Sequence, residues 1–532
     1  MRCAALRGRW VTASNWLRKP LSAFAVATPT RRTLPASRSI VHLVALGCAL
    51  AGHAVAAAQV AGGDTPDDAI AVQLLPTNVT VGIERLRLAD GEALGLLGVS
   101  YIAELAPGWW LGPAIYGAFS GDRGGLFTWG VEGQRRWRPA ARWQLGAGLY
   151  VGGGGGAGAP VGGGLMLRPH ADLLRDFGGW SAGISASQVR FPNGSIHSTQ
   201  LGLLVAVNDT FAYLAPGHGG QQVDFSGAGG LGADRVSLIA GRYATASDRG
   251  TPVRTVGMQL QRQLSPILSA TLEAAGAATG EADGYAEFLA GALALWPVGD
   301  GPLRLGLRAA VGLGGGGAVP TGGGPIAKAA VAGWLPLGSQ LSLGLEAGRA
   351  HAFDGAFNSR YAQLTLGLAF ADAVTAADTA PTGSVVHDMQ WAVSAQQYLH
   401  ARRDDGSAGS LSTLGLKFQR ALSEHVYLTA QAHSAVAGGA GAYSAGLVGL
   451  GASVRSAAAA HWSVGAEALI GAGGGGGVAS HGGALVQPMG WIRRDLGLHS
   501  RLQLGAGFVK SLRGDLSSAV FDLSWGLAFG VP

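Results

Sequence analysis

Nine of the fourteen residues from Val151 to Gly164 are glycine, in the run "VGGGGGAGAPVGGG". Glycine-rich loops can cradle phosphates, so phosphate binding is the first chemistry to weigh. A phosphate loop needs Lys-Ser/Thr after its glycines and a helix behind them. Here Gly164 runs into Leu165 and Met166, and the flanks alternate as strands do. Nucleophilic chemistry is the second. "SIHS" sets His197 beside Ser198, but neighbours on a strand point to opposite faces, and no acid stands close in sequence. Metal binding is the third. His170, His351, His425, His433, His461 and His481 are scattered without ligand spacing. No catalytic, metal or cofactor site is expected, and the chain is not read as an enzyme.

Both cysteines, Cys3 and Cys48, fall within residues 1–58. The rest of the chain therefore has neither disulfides nor thiol chemistry. The same 58 residues hold eight basic side chains and no acid. Beyond them stand 30 basic and 32 acidic groups, so the formal charge of +6 belongs to the leader. Nucleic acid is not an expected partner. Basic residues followed by "IVHLVALGCALAG" and then "AVAAAQ" resemble an export signal, with cleavage near Ala56 or Ala58.

The elements that would position any site come in three copies. Gly98, Gly257 and Gly415 mark equivalent places 159 and 158 residues apart. The opening run recurs as "VGLGGGGAVPTGGG" (311–324) and "IGAGGGGGVASHGG" (470–483). Units this long are folds in themselves. We read a leader at 1–58 and β repeats at 59–230, 231–385 and 386–532.

Inside each copy the period is two. Leu303, Leu305, Leu307, Ala309 and Val311 oppose Arg304, Gly306, Arg308 and Ala310, the mark of a strand with one apolar face. About eight such strands fit each copy. In the third they start near Met389, Ser412, Val426, Tyr443, His461, Ala484, Arg501 and Ala519. Short turns such as "RALSEH" alternate with long loops such as "HARRDDGSAG". Pro169 and Pro488 interrupt the sixth strand of copies one and three and predict a bulge there.

Strands of this length, with short turns at one end and long loops at the other, describe an up-and-down transmembrane β-barrel. Trp109, Trp110, Trp137, Trp143, Trp180, Trp296, Trp334, Trp462 and Trp491 flank short turns, where indole suits a membrane interface. The final "SWGLAFGV" (Ser524–Val531) resembles the terminal strand signal of bacterial outer-membrane barrels, although the chain ends on Pro532 rather than an aromatic residue. That resemblance implies outer-membrane location, contact with outer-membrane lipid, and recognition by the barrel assembly machinery. Twenty-four strands can close as one wide barrel or as three of eight, and the single wide barrel is the expected form.

Strand parity then names a lumen: Glu132, Arg136, Arg304, Arg308, Glu346, Lys417 and Glu467, with Gln259 and Gln261. These either hydrate the lumen or select a permeant. Arg349 and Lys510 fall on the outer face near the long-loop ends, where they either meet lipid phosphate or stand at solvated strand ends. The glycine runs are either flexible surface loops or close-packed segments that narrow an opening. The candidates for the second role are Gly153, Gly154, Gly155 and Gly156, with Gly314, Gly315, Gly316 and Gly317, and Gly474, Gly475, Gly476 and Gly477. The functional expectation is a channel or export pore for an unknown permeant, with an exported substrate or secretion partner. A non-conducting structural barrel is the alternative, and a lipid-modifying hydrolase the second.

Overall fold

A computed structural model describes residues 72–88, 91–223, 233–245, 250–338, 340–369, 384–456 and 461–531. The leader, with Ala56 and Ala58, lies outside the described residues. Among those described there is no helix.

The first eight strands are β1 (Gln73–Arg87), β2 (Ala93–Ala106), β3 (Trp109–Ser120), β4 (Phe127–Ala140), β5 (Trp143–Gly155), β6 (Met166–Asp176), β7 (Trp180–Arg190) and β8 (His197–Tyr213). The two-residue β9 (Gln222–Val223) follows. The next eight are β10 (Arg235–Tyr243), β11 (Val253–Gln263), β12 (Leu268–Thr279), β13 (Ala286–Pro297), β14 (Arg304–Gly315), β15 (Pro325–Pro336), β16 (Leu341–Ala352) and β17 (Asn358–Ala369). After the two-residue β18 (Ser384–Val385) come β19 (His387–Arg402), β20 (Ala408–Ala421), β21 (Val426–Ala437), β22 (Ser444–Arg455), β23 (Trp462–Gly474), β24 (Ala484–Asp495), β25 (Ser500–Ser511) and β26 (Ser517–Val531).

All pairings are antiparallel between neighbours, and each set of eight closes on itself. Val81 on β1 pairs with Val205 on β8, Ile239 on β10 with Thr365 on β17, and Val393 on β19 with Trp525 on β26. The expected single wide barrel is therefore corrected to three closed barrels of eight strands. The physical reason is edge satisfaction within each copy: the last strand meets its own first strand, so every edge is used before the next copy begins. The segments between barrels meet each other instead, pairing Val223 with Ser384 and Gln222 with Val385.

Alternation sets the two faces. Leu203, Val205, Leu305, Leu345, Leu450 and Leu504 are exposed on the outer walls. Glu84, Glu132, Glu273, Glu346, Lys417 and Asp522 are buried inside. This is the reverse of a water-soluble barrel and the build of a transmembrane one. Trp109, Trp137, Trp143, Trp180, Trp296 and Trp462 are exposed near short turns. Trp110 has inward parity, opposite Gln134, with the Arg136 guanidinium 4.4 Å from its ring centroid. Trp334 and Trp491 depart from the expected belt as well. Both have inward parity and are buried, Trp491 donating to the Tyr427 hydroxyl at 2.8 Å.

The proline expectation is also corrected. The β6–β7 ladder skips Pro169 between the pairs Leu167–Arg190 and His170–Ser187. The β24–β25 ladder skips Pro488 between Val486–Lys510 and Met489–Gly507. Both resume in the same register, so the missing N–H costs a local gap and no bulge.

Candidate functional site

Two regions bring polar groups or close backbones together: the lumens, and the seams between barrels. An eight-stranded barrel leaves an interior just wide enough for side chains to fill. In the second barrel the filling is an ion network. Arg308 donates to Glu346 at 3.1 Å and to Glu273 at 2.8 Å. Lys328 donates to Glu273 at 2.8 Å and Glu287 at 2.7 Å. The Tyr243 and Tyr285 hydroxyls donate to Glu287 at 2.6 and 2.7 Å. Each of these charged side chains is at most 1% exposed, so pairing is what makes their burial tolerable.

The other lumens reach the same end with different residues. In the first, Arg168 donates to Glu84 at 3.0 and 3.2 Å, and the Tyr116 hydroxyl donates to Glu132 at 2.9 Å. Gln134 bridges Glu132 and Asp172 at 3.0 Å each, and Arg136 donates to Gln134 at 2.7 Å. In the third, Lys417 lies 3.3 Å from Asp522 and 3.8 Å from Glu467. Gln419 and the Tyr427 hydroxyl donate to Glu467 at 2.7 and 3.0 Å.

Toward the long loops each network is covered by an apolar layer. Leu94, Tyr150, Met166 and Val161 belong to it in the first barrel, Ile326, Val319 and Phe357 in the second, and Leu411, Leu485 and Val478 in the third. Val161, Val319 and Val478 come from the glycine-run loops, which fold back over the barrel mouths. Beside Glu84, Glu132 and Arg168 a cavity of about 20 Å³ remains, room for about one water molecule.

Eight of the nine expected lumen residues sit inside these walls: Glu132, Arg136, Gln259, Gln261, Arg308, Glu346, Lys417 and Glu467 are all buried. Arg304 is the exception. It shares their parity but stands exposed at the short-turn end of β14. Sequence reading missed Glu84, Arg168, Glu273, Glu287, Lys328 and Asp522. The signal was there: in "PIAKAAVAGW" one charge sits alone at an inward position of an apolar strand. His197 and Ser198 lie on opposite faces, and Ser198 Oγ accepts the Arg87 backbone N–H at 3.1 Å.

The glycine runs lie at the seams. Below its long loop, each copy carries a bulge that leaves Phe119, Ala278 or Val436 unpaired. The run of another copy rests on each bulge. Gly163, Gly323 and Gly482 approach Ala437, Ser120 and Thr279, at 3.1, 3.0 and 3.3 Å from where a Cβ would stand. Gly164, Gly324 and Gly483 approach the Ala435, Ala118 and Ala277 carbonyls, with φ of +92°, +108° and +87°. A Cβ at Gly155 would lie 2.8 Å from the Gly441 oxygen, and at Gly315 2.6 Å from the Gly124 oxygen. At Gly474 it would lie 2.8 Å from the Gly284 nitrogen. Side chains have no room here, and positive φ disfavours them again.

The contacts are cyclic: barrel one onto three, two onto one, three onto two. Gly153, Gly155, Gly315 and Gly474 face the neighbouring barrel. Gly154, Gly156, Gly316 and Gly476 press on backbone of their own barrel, Gly314 and Gly317 pack within it too, and Gly475 also meets Gly284 of the second. Gly477 has open space around it, its φ of +68° being the constraint. The runs thus join barrels at the loop end, where an opening in a single wide barrel was expected to narrow.

No protein-family model matches the chain, and no curated protein does. Among solved structures it is similar to OpdQ of Pseudomonas aeruginosa at 10% identity, covering 87% of this chain and 98% of that one, with a TM-score of 0.19. It is similar to the outer membrane protein OpdK of the same organism at 9% identity, covering 86% and 99%, with a TM-score of 0.21. OccAB3 of Acinetobacter baumannii matches at 8% identity, 86% and 99% coverage, and a TM-score of 0.20. Scores of this size fall short of a shared fold.

Proposed function

We propose that the protein resides in the bacterial outer membrane as a ring of three barrels, each closed to solutes, and serves there as a structural unit. The observation that supports this reading most is the filled lumen. Every barrel is blocked twice, by a paired polar network and by the apolar layer above it. On this reading Glu132, Arg136, Arg308, Glu346, Lys417, Glu467, Gln259 and Gln261 hold the walls together from within. The outer walls meet lipid, β26 is the strand the barrel assembly machinery reads, and the long loops are available to a surface or secretion partner.

A narrow channel is the second reading, favoured by the polarity of the same networks. A purely structural filling could be apolar at no loss of stability, whereas a water or ion path cannot. The deciding experiment is reconstitution in planar bilayers after isolation of outer membranes. Closed barrels give no steps. Small steps of up to three sizes, one of them changed by Glu346→Gln in the second barrel, would support the channel. Recovery in the soluble fraction would end both readings.

A further inference from the structure

The outer wall of the second barrel places arginine opposite arginine twice. Arg349 on β16 pairs across the ladder with Arg360 on β17. Arg242 on β10 pairs with Arg254 on β11. These are four consecutive strands of the closed barrel, since β17 pairs with β10, where Arg242 faces Ala362. All four arginines are exposed and alternate with inward residues such as Tyr243, Val253, Ala350 and Tyr361. Like charges directly opposite on neighbouring strands destabilise a sheet. On this outer face Asp234 pairs with Arg262 at 3.0 Å at the short-turn end; among the described residues no carboxylate forms an ion pair with these four arginines at the loop end. The acids of the same strands and their neighbours, Glu273, Glu287 and Glu346, point into the lumen.

The four sit near the loop ends, directly above an apolar belt of Ala240, Val256, Leu345 and Leu364. Beside them the wall is indented. Ala292, Ala309 and Ala329 align across β13, β14 and β15, in a row that continues to Arg349. With Ala294 and Ala347 they line an open groove of about 690 Å³, with Arg349 at its rim. Alanine forms the groove along this row, and Leu307 and Val331, paired one outward row nearer the short turns, line it as well.

We propose that this face binds one phosphate-bearing acylated lipid of the outer-facing leaflet. Its phosphate sits between Arg349 and Arg360, with Arg242 and Arg254 as the second cationic pair, and an acyl chain lies in the alanine groove. An anion turns two repulsive pairs into charge-assisted hydrogen bonds, and arginine can grip a phosphate with two parallel N–H groups. The neighbouring groove explains why the ligand is a lipid rather than a free anion. The inference rests on the membrane reading above.

The test uses the full chain purified in detergent, with bound lipid read by native mass spectrometry. The probes are diphosphoryl lipid A, phosphatidylglycerol, diacylglycerol and inorganic phosphate. The expected result is one retained phosphate-bearing lipid per chain. Retention should fall at least tenfold in Arg349→Gln/Arg360→Gln and in Ala309→Leu/Ala329→Leu, and stay unchanged in Lys510→Gln on the third barrel. Equal retention of diacylglycerol would overturn the role of the phosphate. Competition by inorganic phosphate at micromolar concentration would reduce the site to an anion site and overturn the lipid. Full retention by both double variants would overturn the proposal outright. Failure of the membrane reading looks different: the chain would then fractionate as soluble and need no detergent. Outer-membrane fractionation of each variant separates loss of lipid from loss of folding.

Discussion

At the loop end two of the three seams make their hydrogen bond between backbones, and the third makes it to a side chain. Gly124 donates to the Gly322 carbonyl at 2.8 Å, and Gly441 donates to the Gly162 carbonyl at 3.1 Å. The equivalent of Gly124 and Gly441 in the second barrel is Asp283. Its carboxylate accepts from Ser480 Oγ at 3.1 Å and from the Gly482 N–H. His481 fills the place that Gly162 and Gly322 hold, with φ of +38°. The third seam thus keeps the approach of backbones while exchanging its hydrogen bond. What repeats through the chain is a close fit of glycine onto a bulge; the bond made there is replaceable.

The strongest way to break this comparison is to fill all three seams together. In Gly164→Val/Gly324→Val/Gly483→Val, each β-branched residue meets a carbonyl at positive φ, a strain of about 1–3 kcal/mol per site before any clash. Loop-end distances between spin labels at Gln188 and His351 should broaden, while each barrel keeps its resistance to denaturant. An unchanged narrow distribution would show that the seams do not hold the ring.

A lumen variant should act within one barrel and leave the seams alone. Lys328→Met leaves Glu273 and Glu287 facing each other without that cation, at a cost of about 3–5 kcal/mol. Urea unfolding in vesicles would read it, and Lys328→Met/Glu273→Gln/Glu287→Gln should recover much of the loss.

The first and third barrels also meet at their short-turn ends. Leu214 and Gly530 exchange backbone hydrogen bonds of 2.8 and 2.9 Å, while Phe211 packs on Trp391 and Phe529 with ring centroids 5.7 and 5.2 Å apart. Trp391→Ala should weaken that seam by about 1–2 kcal/mol and leave the other two intact, as distances from the third barrel to each neighbour would record.

The smallest effect is the sharpest. Asp283→Gly restores the residue of the other two seams and should change stability by less than about 1 kcal/mol. Asp283→Leu loses the same acceptor for the Gly482 N–H without regaining the glycine's close backbone approach, and should cost about 1–3 kcal/mol. Comparable losses from both would make the carboxylate, not the close approach, the essential part.

Much of this architecture is legible in the sequence. The strand starts read near Met389, Ser412, Val426 and Tyr443 lie within a few residues of β19 to β22. Period two and loop asymmetry are local signals, so strands and their faces could be read. Closure is not local. Whether Val81 pairs with Val205 of its own copy or with a strand of another depends on contacts more than 100 residues apart. Lumen charges could be placed by parity but not paired: the sequence shows that Arg308 points inward, not that Glu273 and Glu346 meet it. The glycine runs were visible as a threefold mark, and the bulges at Phe119, Ala278 and Val436 sit in segments that also recur, "GAFSG", "GAATG" and "SAVAG", but nothing in those residues marks them as the runs' partners.

The seams are head-to-tail: each barrel offers a glycine run on one side and a bulge on another. Interfaces of this kind make rings when the rotation closes and filaments when it does not. With three units on one chain, closure is intramolecular and leaves no free seam for a second copy, so the full chain is expected to be monomeric. Truncation after the second barrel would undo that economy. It would leave the run at Gly153 and Gly155 and the bulge at Ala278 uncovered on opposite sides of one molecule, and such fragments would polymerise in the plane of the membrane.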